Sequence, residues 1–202
     1  MKVERSHVTK LAITGAPNLD PITVYLEDIE PRRGKIVIEC YGQSWASYWG
    51  GMGNRTIAQF FRSCSEDYIA RNLKQGIESE ITDAEAIEDG ARRQIIKLRR
   101  GEVLKSMLPA GRAFRMGRAE ITAEKARALW ESVDMAHFGD DGWGESNLMH
   151  EIFGDEWWYT LPTKPNPDYR YLCRIIKAVQ DAIDLDSPVA VAHDHSDGGH
   201  HD

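Results

Sequence analysis

GKIVIECYGQSWASYWGGMGNRTIAQFFRSCSEDYIARNL, residues 34–73, is the stretch whose reading decides the fold. It opens as a strand. Within 35–41, Ile36, Ile38 and Cys40 share one side, while Lys35, Val37, Glu39 and Tyr41 share the other. One dry face and one mixed face at a period of two is the pattern of a half-buried strand. Gly42 is placed to end it. From Thr56 onward the period changes. Ile57, Phe60, Phe61, Cys64, Tyr68 and Leu73 recur at helical spacing, which predicts one amphipathic helix over 56–74 with Asn54 or Thr56 as its cap. Between strand and helix stand Trp45, Tyr48, Trp49, Gly50, Gly51, Met52 and Gly53. Two readings of this crossing stay open. Either the rings plug the end of the sheet while the glycines let the chain turn tightly, or Trp45, Tyr48 and Trp49 form a recognition surface. The glycine spacing fits neither a P-loop nor a dinucleotide fingerprint, and no Gly-Lys-Ser/Thr follows.

Upstream, residues 7–14 (HVTKLAIT) read as a first strand and 22–28 as a second, with Val24 and Leu26 on its dry face. The turn EPRRG, 30–34, is short, which implies an antiparallel hairpin into the strand at 35–41. The N-terminal third is therefore expected to be a meander of about three strands. Its dry face needs a cover, and the helix that follows the aromatic crossing is the candidate.

Downstream, Thr82 and Glu85 have capping-box spacing ahead of a helix over 83–100 with Ile87, Ala91, Ile95 and Leu98 inward. Its acidic start and basic end suit the helix dipole. Residues 101–121 are broken by glycine and proline. Thr122 then caps a helix over 123–137 whose core side is Ala126, Leu129, Trp130 and Val133. A short helix over 145–153, a strand or extended aromatic segment at 156–162 and a last helix over 168–184 complete the series. That last helix turns Leu172, Ile175, Ile176, Val179 and Ile183 to one face. The fold class is α+β: an antiparallel meander covered by several helices, in one domain over 1–185, with a His/Asp-rich tail at 186–202 expected to be disordered.

The composition is that of a soluble globular chain large enough to bury a core without staples. Cys40, Cys64 and Cys173 are odd in number and widely spaced, so they read as reduced core residues. With no signal-peptide or membrane-span pattern, the expected location is cytoplasmic. No catalytic residue is singled out. There is no GxSxG elbow, no HExxH, and no cysteine-protease context. The tail histidines (His193, His195, His200, His201) offer no fixed geometry for a metal. No metal and no cofactor is expected.

Charge is the more informative signal. The chain carries −7, yet residues 90–127 hold eleven Lys or Arg against Glu102, Glu120 and Glu124, so that window is strongly basic and the remainder acidic. Arg93, Lys97 and Arg100 share a helix face by spacing. With Arg92, and with Arg112, Arg115 and Arg118 interspersed with Phe114, they suit phosphate contact and stacking. The plainer reading is a solvated face that pairs with acidic parts of the same chain.

Three segments together carry a resemblance: ITVYLEDIEPRRGKIVIECYGQSWASYWGGMG, TIAQFFRSCSEDYIARNL and NPDYRYLCRIIKAVQDAI. They are similar to accessory proteins encoded by tailed phages and prophages. The resemblance implies a setting, an infected or lysogenic bacterial host, and transfers no residue role. Phage proteins of this size commonly adjust host defence, host metabolism or phage DNA handling. The expected function is thus non-enzymatic binding of a host or phage macromolecule, including inhibition of a defence system. The candidate contacts are Arg92, Arg93, Lys97, Arg100, Arg112, Arg115, Arg118, Trp45, Tyr48 and Trp49. A nucleic-acid binder using the 92–118 region is the alternative, and an enzyme with a pocket near Trp45–Trp49 is a third reading.

Overall fold

A computed structural model of the chain describes residues 1–101, 120–138, 143–155 and 157–186. In chain order its elements are β1 (Thr9–Ile13), β2 (Ile22–Glu30), β3 (Arg33–Cys40), β4 (Gln43–Trp49), α1 (Ile57–Ser63) and α2 (Glu66–Leu73). Then come β5 (Glu80–Thr82), α3 (Ala84–Arg100), α4 (Ala123–Met135), α5 (Ser146–Phe153), β6 (Thr163–Pro165) and α6 (Pro167–Asp186). They fall into two compact units: residues 1–78 with 167–202, and residues 79–166. The fold is α+β.

The first unit is an antiparallel sheet in the order β1-β2-β3-β4 with helices on one face. The sequence reading expected about three strands; the fourth is the aromatic crossing itself. Tyr41 and Gly42 both take positive φ, 48° and 72°, the geometry of a two-residue hairpin turn that matches strand twist. Cys40 therefore pairs with Gln43, and β4 runs back along β3 until Trp49 lies beside Gly34. On β4 the period is again two: Trp49 is buried and Trp45 half-buried on the inner face, while Ser44, Ala46 and Tyr48 face outward.

Ile22, Val24 and Leu26 of β2 and Ile36, Ile38 and Cys40 of β3 make the dry face, all buried. Each such aliphatic side chain contributes roughly 1.5–3 kcal/mol by leaving water. Their cover is α1, α2 and α6, which share one hydrophobic cluster with the sheet. The single helix expected over 56–74 is two. α1 ends at Ser63, and Ser65 caps α2 by accepting a hydrogen bond from the Tyr68 N–H at 3.3 Å. The break shifts the phase of the stripe: Ile69, Ala70 and Leu73 are buried, whereas Tyr68 is 42% exposed. Gln180, buried on α6, donates to the carbonyls of Phe61 and Cys64 at 3.0 and 2.9 Å, which satisfies acceptors that the broken helix leaves behind. The entry to α1 is fixed as tightly. Thr56 and Gln59 form a reciprocal capping box, and the Asp28 carboxylate accepts from the Ile57 N–H at 2.6 Å.

The second unit is helical. Its chain enters through β5 and leaves through β6, which pair antiparallel from Glu80↔Pro165 to Thr82↔Thr163. Because Thr82 is in that ribbon, the cap of α3 is Asp83, one residue later than the capping-box spacing suggested. Gly101 closes α3 in the left-handed conformation, at φ 69°. Ile87, Ala91 and Ile95 of α3, Leu129 and Val133 of α4, and Met149 and Ile152 of α5 form a separate core with Phe138 and Trp157. The aromatic segment expected to be extended is a 3-10 turn at Trp157–Thr160.

Candidate functional site

Trp130 departs from its expected place. The periodicity of α4 puts it on the core side, yet Leu129 and Val133 fill the core and Trp130 stands 36% exposed. Across from it on α3, Ile96 is also exposed, one residue past the buried Ile95. Between the two helices runs an apolar groove of about 380 Å³. Its floor is Ile95, Ile96, Ala126 and Trp130. Arg99 and Arg100 of α3 and Arg127 of α4 line it with Glu131. Helical spacing explains the grouping: Ile96 and Arg100 are one turn apart on α3, as are Ala126 and Trp130 on α4.

Arg92 belongs to the same surface but is tied down. Its guanidinium pairs with Glu88 one turn earlier and donates to Asp134 of α4 at 2.8 Å. The Asp134 hydrogen bond foremost, with Glu88 adding to it, raises its already high pKa further. The guanidinium carbon lies 5.7 Å from the Trp130 ring centroid, within range of a cation–π contact that braces the indole from one side. Arg93 donates from Nε to the Asp89 carbonyl at 3.1 Å. Lys97 is half-buried and Arg100 exposed on the same helix. Nearby, Glu124 is held below the ordinary carboxylate range by its own backbone N–H and the Thr122 hydroxyl, with a smaller contribution from Arg99. Arg112, Arg115 and Arg118 lie outside the described residues.

The groove therefore joins one of the candidate contacts, Arg100, to four residues the sequence reading had not singled out as contacts, Ile96, Arg99, Arg127 and Trp130, while a second candidate, Arg92, stands beside it against the Trp130 ring. Its signal in the sequence was faint. Arg127, Trp130 and Glu131 recur at one-turn spacing, but a tryptophan beside Leu129 and Val133 reads first as core.

Trp45, Tyr48 and Trp49 are in the first unit. Trp49 is 6% exposed, donates from its indole N–H to the Tyr68 hydroxyl at 3.1 Å, and packs on Phe60 and Phe61 at centroid distances of 5.7 and 6.4 Å. Tyr48 is 54% exposed on the opposite face of the sheet. The three rings do not form one surface.

That unit also carries an apolar recess of about 480 Å³, lined among others by Ile13, Pro17, Leu19, Ala178, Ala182 and Leu185. Its charged lining is balanced, Arg174 and Lys177 against Glu66 and Asp181, with Lys177 on Asp181 at 2.8 Å, so it has little charge preference to offer a ligand. Burial raises the thiols of Cys64 and Cys173, which keeps both in the protonated, poorly nucleophilic form. Among the described residues, no three His, Cys, Asp or Glu side chains converge to hold a metal ion. No described helix is long and apolar enough to cross a membrane.

The model of a phage protein family, phiTE_072, matches residues 1–184. The chain belongs to this phage family. Comparison with curated proteins and with solved structures gave no match. The match runs through both units, so the groove on α3 and α4 lies inside the family's own extent and is not an appendage to it.

Proposed function

We propose that this phage protein is a non-catalytic accessory protein that docks a host or phage macromolecule, and that its groove between α3 and α4 is where the partner sits. The observation that carries the reading is the groove: an open apolar floor with an exposed tryptophan, lined by three arginines. Tryptophan and arginine are the residues that most often anchor interfaces, because each combines a large contact area with a directional polar group. An aliphatic floor left to water is a standing cost that a partner removes. Trp49 is buried in the core of the first unit, packed on Phe60 and Phe61, whereas Trp130 is open to a partner. In a phage setting the fitting task is interference with a host defence component.

The test is affinity capture from lysed infected cells with wild-type protein and with Trp130→Ala. One macromolecule should co-purify with the wild type and be lost from the variant, with the far-UV circular dichroism of the two proteins unchanged. Equal recovery by both proteins would place the partner elsewhere. Nucleic-acid binding through Arg92–Arg118 is the second reading, favoured by the basic window; a nuclease-sensitive co-purifying species would select it.

A further inference from the structure

The chemistry of the groove narrows the class of partner, on the assumption that the groove is the docking site. We infer that it takes an acidic amphipathic helix presented by a partner protein. Apolar side chains of that helix lie on Ile95, Ile96, Ala126 and Trp130, and its carboxylates meet Arg99 and Arg127.

Three features point this way. First, the floor is aliphatic apart from one indole ring. A peptide helix with apolar residues one turn apart covers such a floor, the usual mode for a groove between two helices. A nucleic-acid strand would set phosphates and sugars against isoleucine and find a single ring to stack on.

Second, the cations that flank the apolar floor stand close to carboxylates of the same unit. Arg92 already answers Glu88 and Asp134, and Glu131 lies on the groove itself. A polyphosphate tracking this surface would meet those acids. A helix can place a few carboxylates opposite Arg99 and Arg127 and turn other side chains toward Glu131, and each arginine can take a carboxylate with two parallel hydrogen bonds.

Third, the segment that follows α3 in the chain has the wrong sign to be the occupant. Residues 102–119, which follow α3 directly, carry Lys105, Arg112, Arg115 and Arg118 against Glu102 alone. Their net positive charge opposes the three arginines.

The test selects binders without assuming a sequence. A random 16-residue peptide library, displayed on the surface of cells, is sorted against the full-length protein; a random single-stranded DNA pool is selected in parallel. Enriched peptides should be acidic, with apolar residues at i, i+3 or i+4, and i+7. The best of them should lose roughly tenfold or more in affinity with Arg99→Glu/Arg127→Glu and with Trp130→Ala, and should weaken with added salt. Enrichment of basic or uncharged peptides overturns the inference, as does binding indifferent to the arginine reversal. A DNA ligand whose binding needs Trp130 leaves the groove as the docking site and removes the helix as its occupant. So does concentration-dependent dimerisation abolished by Trp130→Ala, which would make a second copy the occupant. Lysate capture that is indifferent to Trp130 removes the docking reading itself.

Discussion

Gly34 shows how little space the first unit leaves at the point where its sheet meets its helices. A Cβ built there would stand 2.8 Å from the Cβ of Ile57 and 2.9 Å from the terminal methyl of Met52. Neither neighbour has room to retreat, since Ile57 and Met52 are 1% and 0% exposed. Ile57 is also the first residue of α1, held by the Asp28 carboxylate through its N–H. Replacing Gly34 by alanine should therefore push the start of α1 off the sheet. The expected cost is about 1–3 kcal/mol, the usual range for overpacking a close-packed core. Urea unfolding monitored by tryptophan fluorescence would show a lower midpoint at unchanged slope. A midpoint equal to the wild type would mean that α1 does not press on the β2–β3 hairpin. The sequence marks Gly34 only as the end of a turn; what makes it irreplaceable is a helix twenty-odd residues later in the chain.

Between elements, α2 and α6 are joined by a polar contact that responds to acid. The Tyr169 hydroxyl on α6 donates to Asp67 on α2 at 2.9 Å, and Arg71 donates to the same carboxylate at 3.0 Å. The Tyr169 hydrogen bond first, and then Arg71, hold the Asp67 carboxyl below its ordinary range. Burial, with Asp67 adding to it, pushes the Tyr169 phenol well above its own range, so it stays protonated as the donor. A carboxyl whose folded pKa is depressed contributes stability that is fully present above its unfolded value, about 4. That contribution is lost as the pH falls through the folded value. Asp67→Asn should accordingly flatten the acid limb: between about pH 5 and pH 2 the variant should lose less stability than the wild type. Denaturation midpoints across that range would check it, and parallel curves would show that the contact adds nothing. Such contacts also explain how far the sequence could be read. Strands and the faces of α3 and α6 were legible because periodicity is a local property. The break between α1 and α2 was not, since part of what stabilises it, the Gln180 amide on the Phe61 and Cys64 carbonyls, comes from 116 or more residues away. β4 was hidden by composition. Its alternation of Trp45, Ser47 and Trp49 against Ser44, Ala46 and Tyr48 is a strand pattern, but flanking glycines made the segment look like a loop. For the groove, the sequence offered the arginines; that Trp130 faces outward depends on Leu129 and Val133 having already filled the core.

For the molecule as a whole, the chain is one unit with another inserted into it. Residues 79–166 leave the first unit after α2 and return to it at α6, and the two crossings are bonded to each other. β5 pairs with β6, the Asp83 N–H donates to the Pro162 carbonyl at 2.8 Å, and the Asn166 N–H donates to the Ser79 carbonyl at 2.9 Å. Residues paired in this way across an antiparallel ribbon sit about 5 Å apart. A linker of a few residues therefore spans the gap if the insert is removed. Among the described residues, each unit keeps its own hydrophobic cluster, with no residue common to the two. A segment with its own core, its ends closed together, has what a domain needs to fold alone. Residues 79–166 expressed by themselves should then show a helical circular dichroism spectrum and a cooperative thermal transition. The complementary chain, with 79–166 replaced by a short glycine-serine linker, should keep Trp49 shielded from a fluorescence quencher. The groove travels with the insert, so the isolated segment should capture the same partner as the full chain, and Trp130→Ala should abolish that capture too. An unfolded insert would mean that its core depends on the remainder of the chain; a folded insert that captures nothing would mean that the partner contacts the sheet unit as well.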